Sequence, residues 1–177
     1  MTMDKIKTFL TEKLPVTVSD FIICGFTGWV YETVLTSVVF GEFVDRGVLP
    51  IPILPIYAVF ALVLPFFFRR EQNPVFITLA GAAGATVFEL ICSYITEKIW
   101  GYQLWSYEDW RFNFEGRISL VSSLIFGVMC VLFVKGIHPL SQYMHKRFGK
   151  VFAAGVYILA AFLAAVCAAK LMKAGNV

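Results

Sequence analysis

Charged residues are scarce in this sequence. Only 15% of the 177 residues are charged, whereas a soluble domain averages roughly a quarter. Hydrophobic residues make up 59% of the chain, and the mean hydropathy is +0.76. A chain this apolar has too little polar surface to cover itself in water, so lipid must serve as part of its solvent. The net charge of +3 is small and dispersed, which argues against nucleic acid as a partner.

Common metal and catalytic motifs are also absent. Cys24, Cys92, Cys130 and Cys167 lie far apart in apolar segments, with no CxxC or Cys/His spacing, so we expect no metal and no cofactor. The chain has no GxSxG and no HExxH motif. It also has no GxxxxGK, which excludes ATP hydrolysis by a P-loop. These absences favour a protein that is not an enzyme without deciding the question.

Long apolar runs dominate what is present. A membrane-spanning helix needs about 20 mostly apolar residues, and five stretches qualify: about 18–40, 51–68, 74–95, 118–134 and 151–171. The sequence therefore predicts an all-α, polytopic membrane protein with about five transmembrane helices. We divide it into an amphipathic interfacial segment (1–16), a membrane core (17–137), a basic cytoplasmic loop (138–150) and a fifth helix with its tail (151–177).

The distribution of Lys and Arg predicts the orientation. With five spans, the N-terminus and the loops after spans two and four share one side, and they carry nine of the 15 basic residues. Basic residues gather on the cytoplasmic side. We therefore expect a multi-pass protein of the plasma membrane with its N-terminus in the cytoplasm and its C-terminus outside.

Two glutamates lie deep in apolar segments and indicate a weak parallel repeat of a two-helix unit. Glu32 and Glu89 each follow an aromatic residue, about fourteen residues into spans one and three. Each span is followed by a loop with an arginine beside a glycine, Arg46 and Arg117. A carboxylate in a bilayer is costly, so it normally faces protein or a wet cavity. The glutamates either line a functional cavity or simply pair with the two arginines to hold helices together.

Two irregular segments accompany these glutamates. Residues 49–57 contain three prolines before Tyr57, and proline prevents a regular helix start by removing backbone donors. Irregular backbone in a membrane is tolerated mainly against protein or a wet cavity. The loop 100–117 is rich in aromatic residues, including Trp105 and Tyr107. It is either an interfacial aromatic belt or a flap over a site.

These segments also resemble a known family. The run FVDRGVL at 43–49, followed by Pro52 and by PIY at 55–57, resembles the signature NRGxLxGPxxPIYG of a bacterial membrane family. WSY at 105–107 and NFEGRI at 113–118 are similar to its second segment, WDYS…NxxGRI. This is the CmpB-like family, labelled "putative ABC-transporter type IV". The resemblance implies a permease that works with a separate ATPase subunit. Asp45, Ile51 and Ala58 depart from the signature.

Three functions remain open at this point. The first is a small transport protein that moves a polar or cationic solute through a cavity lined by both glutamates. The second is a membrane enzyme for a phosphorylated lipid or polyprenyl substrate, which arginines would hold. The third is a non-catalytic accessory subunit. The candidate substrate-binding residues are Glu32, Glu89, Arg46, Arg117, Tyr57, Trp105, Tyr107 and Asn113. Partners expected beside the lipid bilayer are the solute or lipid, and a second copy of the chain or an ATPase subunit.

Overall fold

The computed structural model describes residues 9–70 and 72–174, and it is almost entirely helical. The helices are α1 (Leu14–Phe40), α2 (Pro55–Phe67), α3 (Pro74–Trp100), α4 (Leu120–Leu132), α5 (His138–Phe148) and α6 (Lys150–Ala174). A π-helical turn, Phe9–Lys13, leads into α1, and another, Phe133–Ile137, joins α4 to α5. Two short strands, β1 (Asn113–Phe114) and β2 (Ile118–Ser119), pair antiparallel before α4. The predicted all-α, polytopic membrane class is confirmed.

Four helices in the described part of the chain are long and apolar enough to cross a membrane. They are Phe9–Phe40, Pro74–Trp100, Leu120–Phe148 and Lys150–Lys173. The second predicted span differs, because α2 has only 13 residues. At 1.5 Å per residue it rises about 20 Å, less than the roughly 30 Å of a bilayer core. Pro55 stands in its first turn, where a missing backbone donor costs least.

The chain divides into two compact units, of which unit 1 comprises Met1–Leu62 and Ile137–Val177. In unit 1, α5 runs antiparallel to α1, since Ser141 contacts Ser19 and His145 contacts Glu12. Helix α6 runs parallel to α1. Tyr157, near the start of α6, donates a hydrogen bond to the carbonyl of Leu10, before α1. Lys170, near its end, donates to the carbonyl of Pro50, beyond α1.

The segment between α1 and α2 folds back against the middle of α1. Ile53 and Leu54 are buried, and the backbone N–H of Leu54 donates to the carbonyl of Gly25, 3.0 Å away. A Cβ on Gly25 would lie 2.6 Å from the Ile53 side chain, so the missing side chain is what admits this segment. The proline-rich stretch thus satisfies its backbone against protein, as irregular structure in a membrane must.

Unit 2, Val63–Gly136, is a hairpin of α3 and α4. The two helices approach closely at small residues. A Cβ on Gly127 would lie 2.3 Å from the carbonyl oxygen of Thr78, and one on Gly81 would meet Cys130 at 2.8 Å. Small residues at such crossings let helix backbones pack tightly in a membrane. The α3–α4 connection, with its β1–β2 pair, belongs to the same unit.

Several predicted boundaries change. The segment 138–150, predicted as a loop, forms α5 over most of its length. Its polar composition resembles a loop, but Pro139 fits the first helical turn and Ser141 is buried against α1. Residues 9–16 of the predicted interfacial segment continue directly into α1, and Pro15 and Val16 are buried there. Residues 1–8 of that segment lie outside the described residues.

Candidate functional site

In unit 1, Glu32 on α1 meets two of the residues predicted to accompany it. The hydroxyl of Tyr57 donates a hydrogen bond to Oε1 of Glu32 at 2.8 Å. Nε of Arg46 lies 3.7 Å from Oε2 of the same carboxylate. The Glu32 side chain is 20% exposed and that of Arg46 is 33% exposed. The carboxylate is therefore held firmly on one oxygen and loosely on the other.

The position of Tyr57 depends on a glycine of α1. A Cβ on Gly28 would lie 2.3 Å from Cγ of the tyrosine ring, so any larger residue would displace the ring. Gly28 lies one helical turn before Glu32, on the same face of α1. Tyr57 itself is buried in the first turn of α2. Backbone shape at Gly28 and the helix start at Pro55 together aim the hydroxyl at the carboxylate.

The loop that carries Arg46 is organised by Asp45. Its Oδ1 accepts hydrogen bonds from Nε1 of Trp29 at 2.7 Å and from the backbone N–H of Gly47 at 2.8 Å. The backbone N–H of Arg46 donates to the hydroxyl of Thr33. The bond from Trp29, followed by that from Gly47, holds the pKa of the Asp45 carboxyl below its ordinary value of 3.8. Asp45 thereby fixes the backbone from which Arg46 extends.

In unit 2, Glu89 on α3 has a matching tyrosine partner. The hydroxyl of Tyr107 donates to Oε1 of Glu89 at 2.7 Å, and Glu89 is only 3% exposed. Tyr107 comes from the α3–α4 connection, and its ring packs edge-on against Trp110 with centroids 5.4 Å apart. The same residue pair therefore appears in both units, with the tyrosine supplied by a helix start in one and by a loop in the other.

Arg117 in unit 2 contacts residues other than Glu89. Its guanidinium contacts Glu97 at 2.5 Å, Ser93 at 3.0 Å and Glu115 at 3.4 Å, and it lies over the ring of Tyr94, 4.1 Å from the centroid. The hydrogen bond that Arg117 donates to Glu97 is the main cause that raises the pKa of the guanidinium above its ordinary value. The ion pairs of Arg117 are thus with Glu97 and Glu115. Pairing of Arg117 with Glu89, one of the two alternatives that the sequence left open, is not among them.

The two remaining candidate residues, Trp105 and Asn113, build the loop. Nε1 of Trp105 donates to the carbonyl of Arg117 at 3.0 Å. The amide of Asn113 donates to the carbonyls of Glu108 and Trp110, and its oxygen accepts from the N–H of Gly116. The aromatic residues divide into two groups. Trp105, Tyr107 and Trp110 are part-buried, whereas Trp100, Tyr102, Phe112 and Phe114 are exposed.

Sequence reasoning missed several polar contacts. In unit 1, Asp20 is 3% exposed and its Oδ2 lies 2.6 Å from Nδ1 of His138. In unit 2, Ser93 and Glu97 hold Arg117. Asp20 carried a usable signal, because a carboxylate within an apolar span needs a partner. Nothing in the sequence pointed to His138 as that partner, because the two residues lie 118 positions apart.

Two carboxylates, each held by a tyrosine hydroxyl, are suited to bind solutes that carry a positive charge or N–H and O–H donors. An ionised carboxylate only accepts hydrogen bonds and has lone pairs for several donors. Residues 9–70 and 72–174 contain no group of three or more His, Cys, Asp and Glu side chains that could hold a metal ion.

Comparison with known proteins gives one match. A family model described as "Putative ABC-transporter type IV" (ABC_trans_CmpB) matches residues 19–172. This range includes both glutamates, both tyrosines and the loops that surround them. Searches among curated proteins and among solved structures found no match.

Proposed function

The chain belongs to the family "Putative ABC-transporter type IV", and we propose that it is a permease-like protein that moves a small polar or cationic solute across the membrane. The family and the apolar helices establish a membrane protein related to transport. The proposal adds the solute class and the two residues that bind it, Glu32 and Glu89. It also places the protein in the plasma membrane of a bacterium.

The observation that carries this proposal is the repeated Tyr–Glu pair. Tyr57 donates to Glu32 in unit 1, and Tyr107 donates to Glu89 in unit 2. A carboxylate in an apolar helix costs a few kcal/mol even on insertion scales. This chain carries two such carboxylates, each oriented by a tyrosine hydroxyl, so the energetic cost of membrane insertion arises twice. Solute binding explains that cost better than helix packing, for which apolar residues would serve.

Loops would control access in each unit. In unit 1, Arg46 stands beside Glu32 and is itself partly exposed, so it would close the approach to the carboxylate. In unit 2, the connection that carries Trp105 and Tyr107 would act as a lid, because Tyr107 is its contact with Glu89. A solute would have to displace these groups to reach either carboxylate. That the two glutamates line one common cavity stays a prediction.

The partners are part of the proposal. Because the chain has no P-loop motif, any ATP-driven cycle needs a separate ATPase subunit. Helix α5 is the best candidate to contact it, since Tyr143 is 61% exposed and its last turn carries Lys146 and Arg147. The alternative partner is a second copy of the chain, which would contact the Ala-rich part of α6, because Gly81 of α3 already packs against Cys130 of α4.

The lipid-enzyme alternative has less support. Of the three arginines that it would use, Arg117 is already in contact with two carboxylates and a serine hydroxyl, which leaves Arg46 and Arg111 to bind a phosphate. Displacing two carboxylates with one phosphate gains little. The transport proposal makes no such demand on Arg117.

A ligand screen followed by flux measurement tests the proposal. Wild type, Glu32→Gln and Glu89→Gln are purified and screened for thermal stabilisation by small cations, zwitterions and neutral polar solutes. A solute at 100 times its dissociation constant stabilises the folded state by about 2.7 kcal/mol. We expect a cationic or polar solute to stabilise wild type alone and to enter proteoliposomes only with wild type.

The matched control is Glu42→Gln, which changes an exposed carboxylate in the loop after α1. It should bind and transport like wild type. Unchanged flux in both Glu32→Gln and Glu89→Gln would refute the proposal. Stabilisation only by lipids or polyprenyl phosphates would favour the enzyme instead.

A further inference from the structure

We propose that Glu32 and Tyr57 form a binding site for a small organic cation of the alkylguanidinium or alkylammonium class, which Arg46 occupies when no solute is bound. This inference rests on the proposed function and specifies the solute class for the site in unit 1. Arg46 then acts as a tethered competitor, so that the solute must exchange with its guanidinium.

The carboxylate geometry supports exchange. Oε1 of Glu32 accepts the short hydrogen bond from Tyr57, 2.8 Å long, whereas Oε2 faces Nε of Arg46 at 3.7 Å. That distance is beyond a hydrogen bond, and Nε of Arg46 is buried without a hydrogen-bond partner among the described residues. Oε2 therefore has a positive charge nearby, but it does not accept a hydrogen bond from Nε of Arg46. A free cation that donates directly to Oε2 would make the hydrogen bond that Arg46 does not make.

The environment favours an organic cation over a hydrated metal ion. Tyr57 is 7% exposed, and its ring lies directly on Gly28, so aromatic and backbone groups, and not bulk water, surround the hydroxyl that donates to Glu32. A guanidinium or alkylammonium is more weakly hydrated than a small metal ion and packs well on aromatic faces. The group that lies beside Oε2 is itself a guanidinium, and the proposed solutes carry the same charge.

Unit 2 provides the contrast within the same chain. There the arginine, Arg117, is 8% exposed and in contact with Glu97, Glu115 and Ser93. In unit 1, the Arg46 side chain is 33% exposed and lies near one carboxylate at 3.7 Å. Arg117 has the contacts of a structural ion-pair centre, and Arg46 has those of a group that can leave. We accordingly assign the exchangeable cation site to unit 1.

Removal of the tethered competitor tests this inference. Purified full-length Arg46→Ala is titrated with methylguanidinium chloride, and binding is followed by the shift in melting temperature against sodium chloride of equal ionic strength. Because a tethered group competes at an effective concentration in the millimolar range, we expect Arg46→Ala to bind methylguanidinium about tenfold or more tightly than wild type. The double variant Arg46→Ala/Glu32→Gln should show no such binding.

Controls separate this site from general effects of arginine loss. Arg69→Ala removes an exposed arginine outside unit 1 and should respond like wild type. If Arg46→Ala does not fold, Arg46→Gln keeps the side-chain stem without the charge and takes the same titration. Folded Arg46→Ala or Arg46→Gln with no gain in methylguanidinium affinity overturns the inference, and so does a gain that survives Glu32→Gln.

Failure of the inference and failure of the proposed function give different results. If another solute crosses proteoliposomes in a Glu32-dependent manner while methylguanidinium does not bind Arg46→Ala, only the cation site is wrong. If methylguanidinium binds Arg46→Ala through Glu32 but no solute crosses, the cation site stands and transport by this chain without a partner subunit is wrong.

Discussion

At the scale of single residues, the tyrosine hydroxyls are the groups that define both candidate sites. Tyr57 and Tyr107 each place an O–H within 2.8 Å of a glutamate oxygen. Away from bulk water, an unsatisfied carboxylate oxygen carries a larger penalty than it does at a surface. The hydroxyl therefore both lowers the cost of the carboxylate and fixes which oxygen faces the approach.

Removing either hydroxyl should destabilise its own unit. We expect Tyr57→Phe and Tyr107→Phe each to cost about 1–3 kcal/mol, the range for leaving a buried charged acceptor short of a donor. Equilibrium unfolding of the purified variants measures this, and solute affinity should fall as well. Tyr102→Phe is the matched control, because Tyr102 is 59% exposed. An equal loss in Tyr102→Phe would contradict the role given to the two hydrogen bonds.

Asp45 should make a small acid-sensitive contribution to stability. Hydrogen bonds from Trp29 and Gly47 lower its pKa from the ordinary 3.8. A lowered pKa in the folded state gives stability that is present above the unfolded-state value and disappears as pH falls through the folded-state value. Because Asp45 is exposed, the contribution should be below about 1 kcal/mol.

The variant Asp45→Asn keeps an oxygen that accepts both hydrogen bonds but cannot titrate. Between about pH 5 and pH 3, its melting temperature should therefore fall less steeply than that of wild type. Parallel curves for the two proteins over this range would show that Asp45 contributes nothing to the acid response. At neutral pH, Asp45→Asn should remain folded, since the loop geometry is retained.

At the scale of elements, close approach at glycine determines how the start of α2 packs against α1. The segment before α2 packs on Gly25, and the Tyr57 ring packs on Gly28. In both contacts a side chain packs directly on the α1 backbone, because glycine has no side chain to cover it. Irregular structure at 51–54 can therefore lie against α1 with its buried N–H of Leu54 satisfied by the Gly25 carbonyl. A helix start at Pro55 follows from the proline itself.

Adding one methyl group at Gly28 should displace Tyr57. The new Cβ would lie 2.3 Å from the ring, and overpacking of this kind typically costs about 1–3 kcal/mol. Gly155→Ala is the control, because nothing lies within 4 Å of its added Cβ. It should gain up to about 1 kcal/mol from helix propensity. Unfolding curves that rank the two variants equally would refute the packing role of Gly28.

At the scale of the whole molecule, the parallel arrangement of α1 and α6 in unit 1 limits the number of possible membrane crossings. Leu10 and Tyr157 meet at one end of α1, whereas Pro50 and Lys170 meet at the other. The chain ends of the described part, at residues 9 and 174, therefore lie at opposite ends of this unit. Opposite ends require an odd number of membrane crossings, whereas residues 9–70 and 72–174 contain four helices that are long and apolar enough to cross alone.

We predict that residues 51–67 make the fifth crossing. The 13-residue helix covers about 20 Å of a bilayer core of roughly 30 Å. The irregular residues 51–54 before it, where the N–H of Ile53 donates to the carbonyl of Ile51, would supply the remainder. Fusions of a cytoplasmic fluorescent reporter to the N-terminus and of a periplasmic phosphatase to the C-terminus test this. Both reporters should be active, with the N-terminus inside. Reporters that place both termini on one side would mean four crossings.

Much of the architecture could be predicted from the sequence because membrane insertion depends on a local, additive property. Four of the five predicted spans appear as long helices, and the proline-rich stretch was recognised as irregular. The two glutamates and the tyrosines near them could also be found, because a carboxylate in an apolar span stands out. The helical state of α5 was missed because its composition is that of a polar loop. The helix packs on α1 through Ser141, and such a contact cannot be predicted from composition.

The sequence by itself determined that the chain is a helical membrane protein, which segments are apolar and which charged residues must find partners there. Only the tertiary structure decided which residues are the partners of these charged groups. Arg117 forms an ion pair with Glu97 and not with Glu89, and Asp20 pairs with His138. Arg46 lies beside Glu32 without a close hydrogen bond. Hydrophobicity sums along a chain, whereas an ion pair depends on the distance between atoms that packing brings together from remote positions.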